Sequence, residues 1–375
     1  MGFQTIYNGL VKQKERAESG LYNCIPWPFP RFRTFLPGIE RAKYILVTSN
    51  QKVGKSKLTD FIFVYEPLFF AMEHSNFKFK VIYFTLEMSV EAKYHEFLCH
   101  LLYRLDNIQI SPTQLKSVDN KRPVNQKILD LLQTERYQKY IKLYEDRVQY
   151  EFETSNPTGI NKICRQYAED HGTFNKIPYQ VMDDTTGEMV TRYRIDPENP
   201  YTQDDEEEYR IIIIDNAANL TTEKGMTKKE TIDKMSKYAI TLRDQLKYIV
   251  VLIQHQAQAQ EGIDNLKLDM VKPSTTGLAE CKTTGNDVSM MIGLYSPFKY
   301  GKKEYEHYDI TKLRNYVRFL EIIEDRDYGA NGNICPLFFN GAVSSWAELP
   351  KPTDTAGLKQ VYDYIDYLEK VKRDG

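Results

Sequence analysis

The sequence lacks the features that mark secreted, membrane-spanning or zinc-stabilised proteins. Its 375 residues include 5 cysteines, which form neither a CxxC pair nor a cluster with histidines. This dispersed set argues against a disulfide framework and against a structural zinc site. No apolar run approaches the ~20 residues that a membrane-spanning helix needs, and the first twenty residues do not have the pattern of a signal peptide. We therefore expect a cytoplasmic protein without a membrane partner.

An excess of positive charge is also missing. The chain has 50 lysines and arginines against 52 acidic residues, which gives a net charge of −2. The strong overall positive charge that many nucleic-acid-binding proteins carry is thereby excluded. A ring-shaped motor that confines its cations to a central channel remains compatible with this balance, because net charge does not report where the charges lie.

Short apolar runs alternate with segments of helical length through most of the chain. They lie at 44–47, 81–86, 211–215 and 249–253, and the segment from Val90 to Leu105 between two of them has a helical spacing of apolar residues. Near-continuous apolar strands that alternate with helices predict an α/β fold, with a mostly parallel sheet covered by helices on both faces. Later runs at 319–323 and 335–339 predict antiparallel edge strands.

The flanking segments predict a simple domain organisation. Residues 1–36 form a helical arm and a proline-rich, irregular linker, residues 37–350 form the main domain, and residues 351–375 form a C-terminal helix. The apolar face of the arm requires a partner, which is either its own domain or a neighbouring subunit. The turn signal DDTTGE predicts a hairpin inserted at about 173–208, whose acidic end at 204–208 we expect to be solvated.

The first apolar run is followed by a segment typical of a phosphate-binding loop. Its residues are Ser49, Asn50, Gln51, Lys52, Val53, Gly54, Lys55 and Ser56. The usual pattern is G-x-x-x-x-G-K-[ST], and Ser49 stands in place of the first glycine. Gly54 lets backbone N–H groups turn toward phosphates, Lys55 supplies a cation to them, and Ser56 offers a hydroxyl to Mg²⁺. These residues predict the binding of ATP with Mg²⁺.

Two carboxylates at strand ends complete the predicted site. Asp215 ends the run IIIID and can hold the Mg²⁺ through water. Glu87 lies in VIYFTLEMS at 81–89, after another strand and before a helix. A carboxylate at that position can polarise the water that attacks the γ-phosphate.

The segment FTLEMS resembles a motif of the DnaB-type replicative DNA helicases, whose ATPase domain has the RecA-like P-loop fold. The resemblance runs in one order from about residue 37 to residue 346 and implies that Glu87 is the catalytic base. It also implies that Gln254, in VVLIQHQ at 250–256, senses the γ-phosphate. The final hairpin at 319–346 resembles the one that places an arginine finger in the adjacent subunit's ATP site, and Arg326 matches that arginine. His255 has no paired nucleophile or metal cluster in the sequence, so we interpret it as structural.

The resemblance also has departures. Glu324 stands where the family often has a lysine two residues before the finger, and the insertion at 173–208 is extra. Only about forty residues precede the core, so the docking of primase through a separate N-terminal domain is not assumed. The compact arrangement suggests a phage or mobile-element replication protein, which would work in the host cytoplasm.

The loops after Asp215 and Gln254 would face the channel of a ring in such a fold. Their lysines are candidates for contact with single-stranded DNA, because lysines can follow phosphates without reading sequence. They are Lys224, Lys228 and Lys229 in the first loop, and Lys267, Lys272 and Lys282 in the second. The expected partners are single-stranded DNA, further copies of the chain in a hexameric ring, and primase or other replication proteins. Two alternatives stay open: a RecA-type recombinase, and a nucleotide-binding scaffold or loader without turnover.

Overall fold

A large twisted sheet organises the computed structural model, which describes residues 2–268 and 270–374. From one edge to the other its strands are β17 (Ser345–Glu348), β16 (Ile334–Asn340), β15 (Val317–Asp325), β12 (Met290–Tyr295), β3 (Tyr44–Ser49), β11 (Ile249–His255), β10 (Glu208–Asp215), β4 (Lys78–Thr85) and β5 (Val148–Glu151). The strands from β12 to β5 are mutually parallel, whereas β15, β16 and β17 add on antiparallel. This confirms the predicted α/β fold with its antiparallel C-terminal edge.

Helices cover both faces of the sheet and follow most of its parallel strands. They are α1 (Phe3–Glu18), α2 (Pro30–Arg33), α3 (Lys55–Asp60), α4 (Glu66–Glu73), α5 (Val90–Asp106), α6 (Pro112–Leu115), α7 (Gln126–Leu132), α8 (Glu135–Arg147), α9 (Pro157–Asp170), α10 (Lys228–Leu246), α11 (Ile263–Lys267), α12 (Thr284–Asp287), α13 (Ile310–Leu313) and α14 (Thr355–Asp374). A π-helical segment, Phe61–Tyr65, joins α3 to α4. Within residues 2–268 and 270–374, none of the helices is both long and apolar enough to traverse a bilayer.

Side chains alternate between the two faces of each strand, and this alternation divides the core into two layers. In β11, Ile249, Val251 and Ile253 belong to the layer that α3 and α5 cover. Val250 and Leu252 belong to the opposite layer, with α9 and α10. The face on which a strand residue lies therefore decides which helices and loops its side chain meets.

The proline-rich segment at 25–37 differs from the irregular connector that its sequence predicts. It contains part of β1 (Cys24–Pro26), which pairs with β2 (Gly38–Glu40), and the helical turn α2. Trp27, Phe29 and Phe32 are buried in the main core. Apolar side chains between the prolines give this segment enough burial to fold against the domain.

The insertion is a two-stranded ribbon, as its turn signal predicts. Strands β7 (Lys176–Met182) and β8 (Met189–Ile195) pair antiparallel, and β6 (Gly172–Phe174) with β9 (Tyr201–Gln203) forms the base of the ribbon. A further small hairpin is formed by β13 (Glu304–Tyr305) and β14 (Tyr308–Asp309).

Most residues of the acidic stretch after the ribbon pair with basic side chains. Asp205 contacts Lys78, Glu206 contacts Lys12, and Glu207 contacts Arg16. Glu208 is buried and accepts from Arg210 at 2.9 Å. Asp204 and Glu206 are exposed, as expected of a solvated charge run, whereas the burial of Glu208 departs from that expectation because Arg210 lies beside it.

Candidate active site

The phosphate-binding loop connects β3 to α3 at the carboxyl edge of the sheet. Lys52 and Gly54 adopt positive φ values of 60° and 109°, which turn the backbone into the helix that begins at Lys55. The positive φ of Gly54 favours glycine, and a side chain there would also lie only 3.3 Å from the Phe339 ring. Ser49 ends β3 without positive φ, and its hydroxyl donates to the carbonyl of Asn50 at 2.6 Å. The backbone at the first position of the motif therefore does not demand glycine.

Buried polar groups hold the back of this loop in place. The Arg318 guanidinium donates to the carbonyl of Val53 at 2.7 Å and lies over the Phe339 ring. Burial lowers the pKa of Arg318 to about 10. The Asn50 amide donates to the carbonyl of Val271 at 2.8 Å. These contacts hold the loop through the carbonyl of Val53 and the side chain of Asn50, and not through the N–H groups that an anion would need.

Lys55 and Ser56 meet the ends of two neighbouring strands. The Ser56 hydroxyl donates to Oδ1 of Asp215, at the end of β10, across 3.2 Å. The Lys55 ammonium lies 2.8 Å from Nδ1 of His255, at the end of β11. Burial lowers the pKa of Lys55 to about 8, although the charges of Asp215 and Glu87 oppose this. Burial and the positive charge of Lys55 lower the pKa of His255 to about 4, so the imidazole is neutral and its Nδ1 accepts from the lysine.

Glu87 lies on the same side of the sheet, just beyond β4. The Asn216 amide donates to Glu87 Oε2 at 2.5 Å, and the same nitrogen lies 3.3 Å from Nε2 of His255. The side-chain oxygen Oδ1 of Asn216 accepts from the backbone N–H of Ala218, which fixes the orientation of the amide. Because Nδ1 of the neutral His255 accepts from Lys55, its Nε2 carries the proton, and the Asn216 amide is a neighbour of Nε2 rather than its hydrogen-bond partner. The hydrogen bond of Asn216 is to the carboxylate proposed to act on water.

Gln254 points away from this constellation. Its amide donates to the carbonyls of Ala279 and Cys281 at 2.6 and 2.8 Å, in the loop before β12. The role of γ-phosphate sensor that the resemblance implies for Gln254 stays a prediction, and His255 is the residue of this strand that faces the phosphate loop. The cause is strand alternation: His255 shares the face of Ile253, which α3 covers, and Gln254 shares the face of Leu252. Parity along the strand shows in the sequence that Gln254 and His255 lie on opposite faces, but which of the two faces the phosphate loop is decided by packing.

Arg326 lies near the amino-terminal ends of the parallel strands, whereas the phosphate loop lies at their carboxyl-terminal ends. It follows β15, whose last residue, Asp325, pairs with Met290, and Met290 pairs with Ile45 near the start of β3. The Arg326 guanidinium is exposed and donates to the carbonyl of Asn286. Within one chain it therefore does not contact the residues around Lys55.

The six candidate DNA-contacting lysines lie in different surroundings. Four of them are exposed and free to meet a phosphate backbone, namely Lys224, Lys229, Lys267 and Lys282. Lys228 donates to the carbonyls of Ala218 and Leu220, which ties it to the loop after β10. Lys272 is partly buried and lies over the Tyr305 ring at 4.7 Å. These last two lysines support their loops.

A buried ion pair behind Asp215 gave no recognisable signal in the sequence. Lys93 of α5 contacts Asp60 of α3 at 2.8 Å and lies 3.4 Å from Oδ2 of Asp215. The Tyr83 hydroxyl lies 2.8 Å from Asp60 and 3.1 Å from Asp215, and its one proton can go to either carboxylate. Burial raises the pKa of Asp60 to about 6, an effect that the charge of Lys93 partly offsets. Lysine and aspartate on helices usually face solvent, so only the packing reveals this cluster.

Comparisons with known proteins place the fold. No protein-family model matches the sequence, and no curated protein matches it either. The structure is similar to a solved ATPase domain, with a TM-score of 0.61, 14% identity, and coverage of 92% of this chain and 99% of that one. It is equally similar, with a TM-score of 0.61 and 14% identity, to a DnaB-like replicative helicase solved in a study of its interactions with primase, covering 90% of this chain and 67% of that one. The chain has the fold of a DnaB-type helicase ATPase domain.

Proposed function

We propose that this chain is an ATP-hydrolysing motor that moves on single-stranded DNA during replication, as a cytoplasmic DnaB-like helicase. The observation that carries the proposal is the convergence of Lys55, Ser56, Asp215 and Glu87 at one edge of a helicase-type sheet. These groups arrive from separate segments of the chain, and each has the chemistry that phosphoryl transfer to water requires.

The nucleotide would displace the contact between Lys55 and His255. A phosphate is a stronger partner for a buried ammonium than a neutral imidazole, because the interaction is charge-assisted. Lys55 would then turn to the β and γ phosphates and leave the imidazole of His255 free to face the γ-phosphate. His255, rather than Gln254, is the group that we propose to sense the nucleotide.

The oxygen ligands beside Lys55 suit Mg²⁺. The Ser56 hydroxyl and the Asp215 carboxylate are hard donors of the kind that this ion prefers, and they already lie within hydrogen-bond distance. When bound, Mg²⁺ neutralises charge that develops on the phosphate oxygens. Glu87 would accept a proton from the attacking water, and the Asn216 amide orients the carboxylate for that transfer.

Completion of the site requires a second copy of the chain. Arg326 lies near the amino-terminal ends of the parallel strands, and its own phosphate loop lies at their carboxyl-terminal ends. It can therefore contribute only to the site of a neighbour. An arginine supplied from a neighbouring subunit stabilises the charge of the phosphoryl-transfer transition state. We infer a ring, hexameric by resemblance, in which hydrolysis at each interface depends on the adjacent subunit.

The two lysine-bearing loops follow β10 and β11, the strands that carry Asp215 and His255. Their exposed lysines would contact DNA phosphates in the channel of the ring. Gln254 holds the second loop through the carbonyls of Ala279 and Cys281. Adjacent residues of β11 thus touch the nucleotide site and the DNA loop, which provides a short route for coupling. Primase is a further candidate partner, since one of the similar structures was solved in that context.

Steady-state ATP hydrolysis with and without single-stranded DNA tests the proposal. We expect turnover that DNA stimulates and that Lys55→Ala abolishes, while Lys139→Ala, on the exposed face of α8, leaves it unchanged. Glu87→Gln should keep nucleotide binding and lose about 10²-fold or more of the turnover, the range typical of a general base. Absence of turnover in the parent would contradict the motor and favour a nucleotide-binding scaffold. Filaments instead of closed rings in electron micrographs would favour a recombinase.

A further inference from the structure

Four buried side chains form a closed network behind the proposed metal position. Asp60, Tyr83, Lys93 and Asp215 come from α3, β4, α5 and β10, and each is at most 2% exposed. The Lys93 ammonium lies 2.8 Å from Asp60 Oδ2, 2.7 Å from the Tyr83 hydroxyl and 3.4 Å from Asp215 Oδ2. All three protons of the ammonium therefore have an acceptor within this network.

Asp215 carries the negative charge of the network that Lys93 does not neutralise. Two carboxylates and one ammonium carry a net charge of −1, and an unpaired buried charge is costly. The closest pair is Lys93 with Asp60, so the remaining negative charge belongs mainly to Asp215. Tyr83 and Lys93 both lie at Oδ2 of Asp215, whereas Oδ1 faces Ser56 at 3.2 Å. The two oxygens of this carboxylate thus have separate tasks.

We propose that Lys93 is a positioning residue for metal binding: with Asp60 and Tyr83 it holds Oδ2 of Asp215, so that Oδ1 alone is presented to the Mg²⁺ of MgATP. This inference rests on the proposed function, since it assumes that Asp215 serves a nucleotide-bound metal. Groups that orient a metal-binding carboxylate in this way tune the affinity of the site for its metal.

The network also connects the metal position to the segment of the proposed base. Lys93 lies in the first turn of α5, which is capped by Ser89, two residues after Glu87. The same ammonium that holds Asp215 therefore anchors the helix that starts behind Glu87. A fixed separation between the metal-binding carboxylate and the base is what in-line attack by water requires.

The test removes the ion pair without changing the charge of the network. In Asp60→Asn/Lys93→Met, one negative and one positive charge disappear together, and the net charge stays at −1. The matched control is Glu208→Gln/Arg210→Met, which removes another buried pair, with a separation of 2.9 Å, at the other end of β10. Both double variants are expected to lower the melting temperature, so stability alone does not distinguish them.

The readout is the binding of a fluorescent ATP analogue to the full chain while Mg²⁺ is titrated. We expect half-saturating Mg²⁺ to rise about tenfold or more in Asp60→Asn/Lys93→Met, with the affinity for Mg²⁺-free nucleotide unchanged. The control variant should keep the parent's Mg²⁺ dependence. An unchanged half-saturating Mg²⁺ in the folded Asp60→Asn/Lys93→Met protein overturns the positioning role.

A second variant covers the case in which this double variant does not fold. Tyr83→Phe removes one hydroxyl from Oδ2 of Asp215 and keeps the ion pair, so a smaller shift in the same direction is expected. An unchanged Mg²⁺ dependence in that variant also overturns the inference. If the parent itself binds no nucleotide, the proposed function fails, and the positioning role fails with it.

Discussion

At the scale of single residues, neighbours on one strand serve different parts of this molecule. His255 contacts Lys55 and approaches Asn216, whereas Gln254 holds the carbonyls of Ala279 and Cys281. The reason is that successive side chains of a strand leave on opposite faces of the sheet. The letters of a motif do not show on which face of the sheet a side chain lies. Odd or even position along the strand separates the two faces.

Substitution of these two neighbours separates their roles. His255→Ala should lower ATP turnover both with and without DNA, because it removes the group that faces the phosphate loop. Gln254→Ala should mainly lose the stimulation by DNA, because it releases the loop that bears Lys282. Hydrolysis rates measured with and without single-stranded DNA distinguish the two effects. Loss of basal turnover in Gln254→Ala with normal turnover in His255→Ala would restore Gln254 as the sensor.

The lowered pKa of Lys55 predicts how nucleotide affinity depends on pH. The free site has a Lys55 pKa of about 8, and bound phosphates raise that pKa, so binding takes up a proton at pH values between the two. The affinity is therefore complete below pH 8 and falls as the pH rises, by up to about tenfold per unit. Fluorescent nucleotide titrations from about one pH unit below this pKa to about two above it measure the effect.

Lys55→Arg is the control for that titration. The guanidinium stays charged throughout the range, so its affinity, even if weaker, should not decline with pH. An equal decline in the parent and in Lys55→Arg would assign the effect to another group.

At the scale of elements, the composition of a segment gives a wrong prediction of its structure where a distant part of the chain packs against that segment. The segment at 204–208 has the composition of a solvated loop, yet Glu206 and Glu207 pair with the arm helix. The segment at 25–37 has the prolines of a linker, yet Trp27 and Phe32 lie in the core. In both cases a contact between segments far apart in the chain decides whether the segment is paired or buried. Such contacts produce no pattern in the local sequence.

The strands and main helices, by contrast, follow from their own residues. Isoleucine and valine runs such as 211–214 form buried central strands, and the helix α5 begins at a Ser89 cap that accepts from the N–H of Ala92. Both signals are local, because strand burial and helix capping act over a few residues. This is why the elements around the candidate site could be predicted.

At the scale of the whole molecule, the arm helix is attached by charge and leaves its apolar face uncovered. Lys12 and Arg16 hold it to the acidic stretch, while Phe3 and Leu10 are 78% and 59% exposed. The packing of this face on its own domain, which the sequence left open, does not occur among the described residues. A neighbouring subunit is the partner that we propose for this face.

Polar substitution of this face should therefore weaken assembly. Phe3→Ser/Leu10→Ser is expected to shift the chain toward monomers and to lower turnover, because in the proposed assembly each site takes Arg326 from a neighbour. Analytical ultracentrifugation together with hydrolysis rates measures both. The matched control is Lys14→Ser, which changes the charged side of the same helix. An unchanged oligomer in the double variant would contradict the role of the arm.

The residues alone were enough to predict the fold class, the order of the motifs along the chain, the phosphate loop and the two carboxylates at strand ends. These follow from hydrophobic periodicity and from short motifs whose chemistry is local. Three-dimensional packing was needed to establish that His255 faces Lys55, that Lys93 lies behind Asp215, and that Arg326 is remote from its own site. The physical reason is that burial and pairing of polar side chains depend on which segments meet across the sheet, and that is settled by the packing of the whole chain.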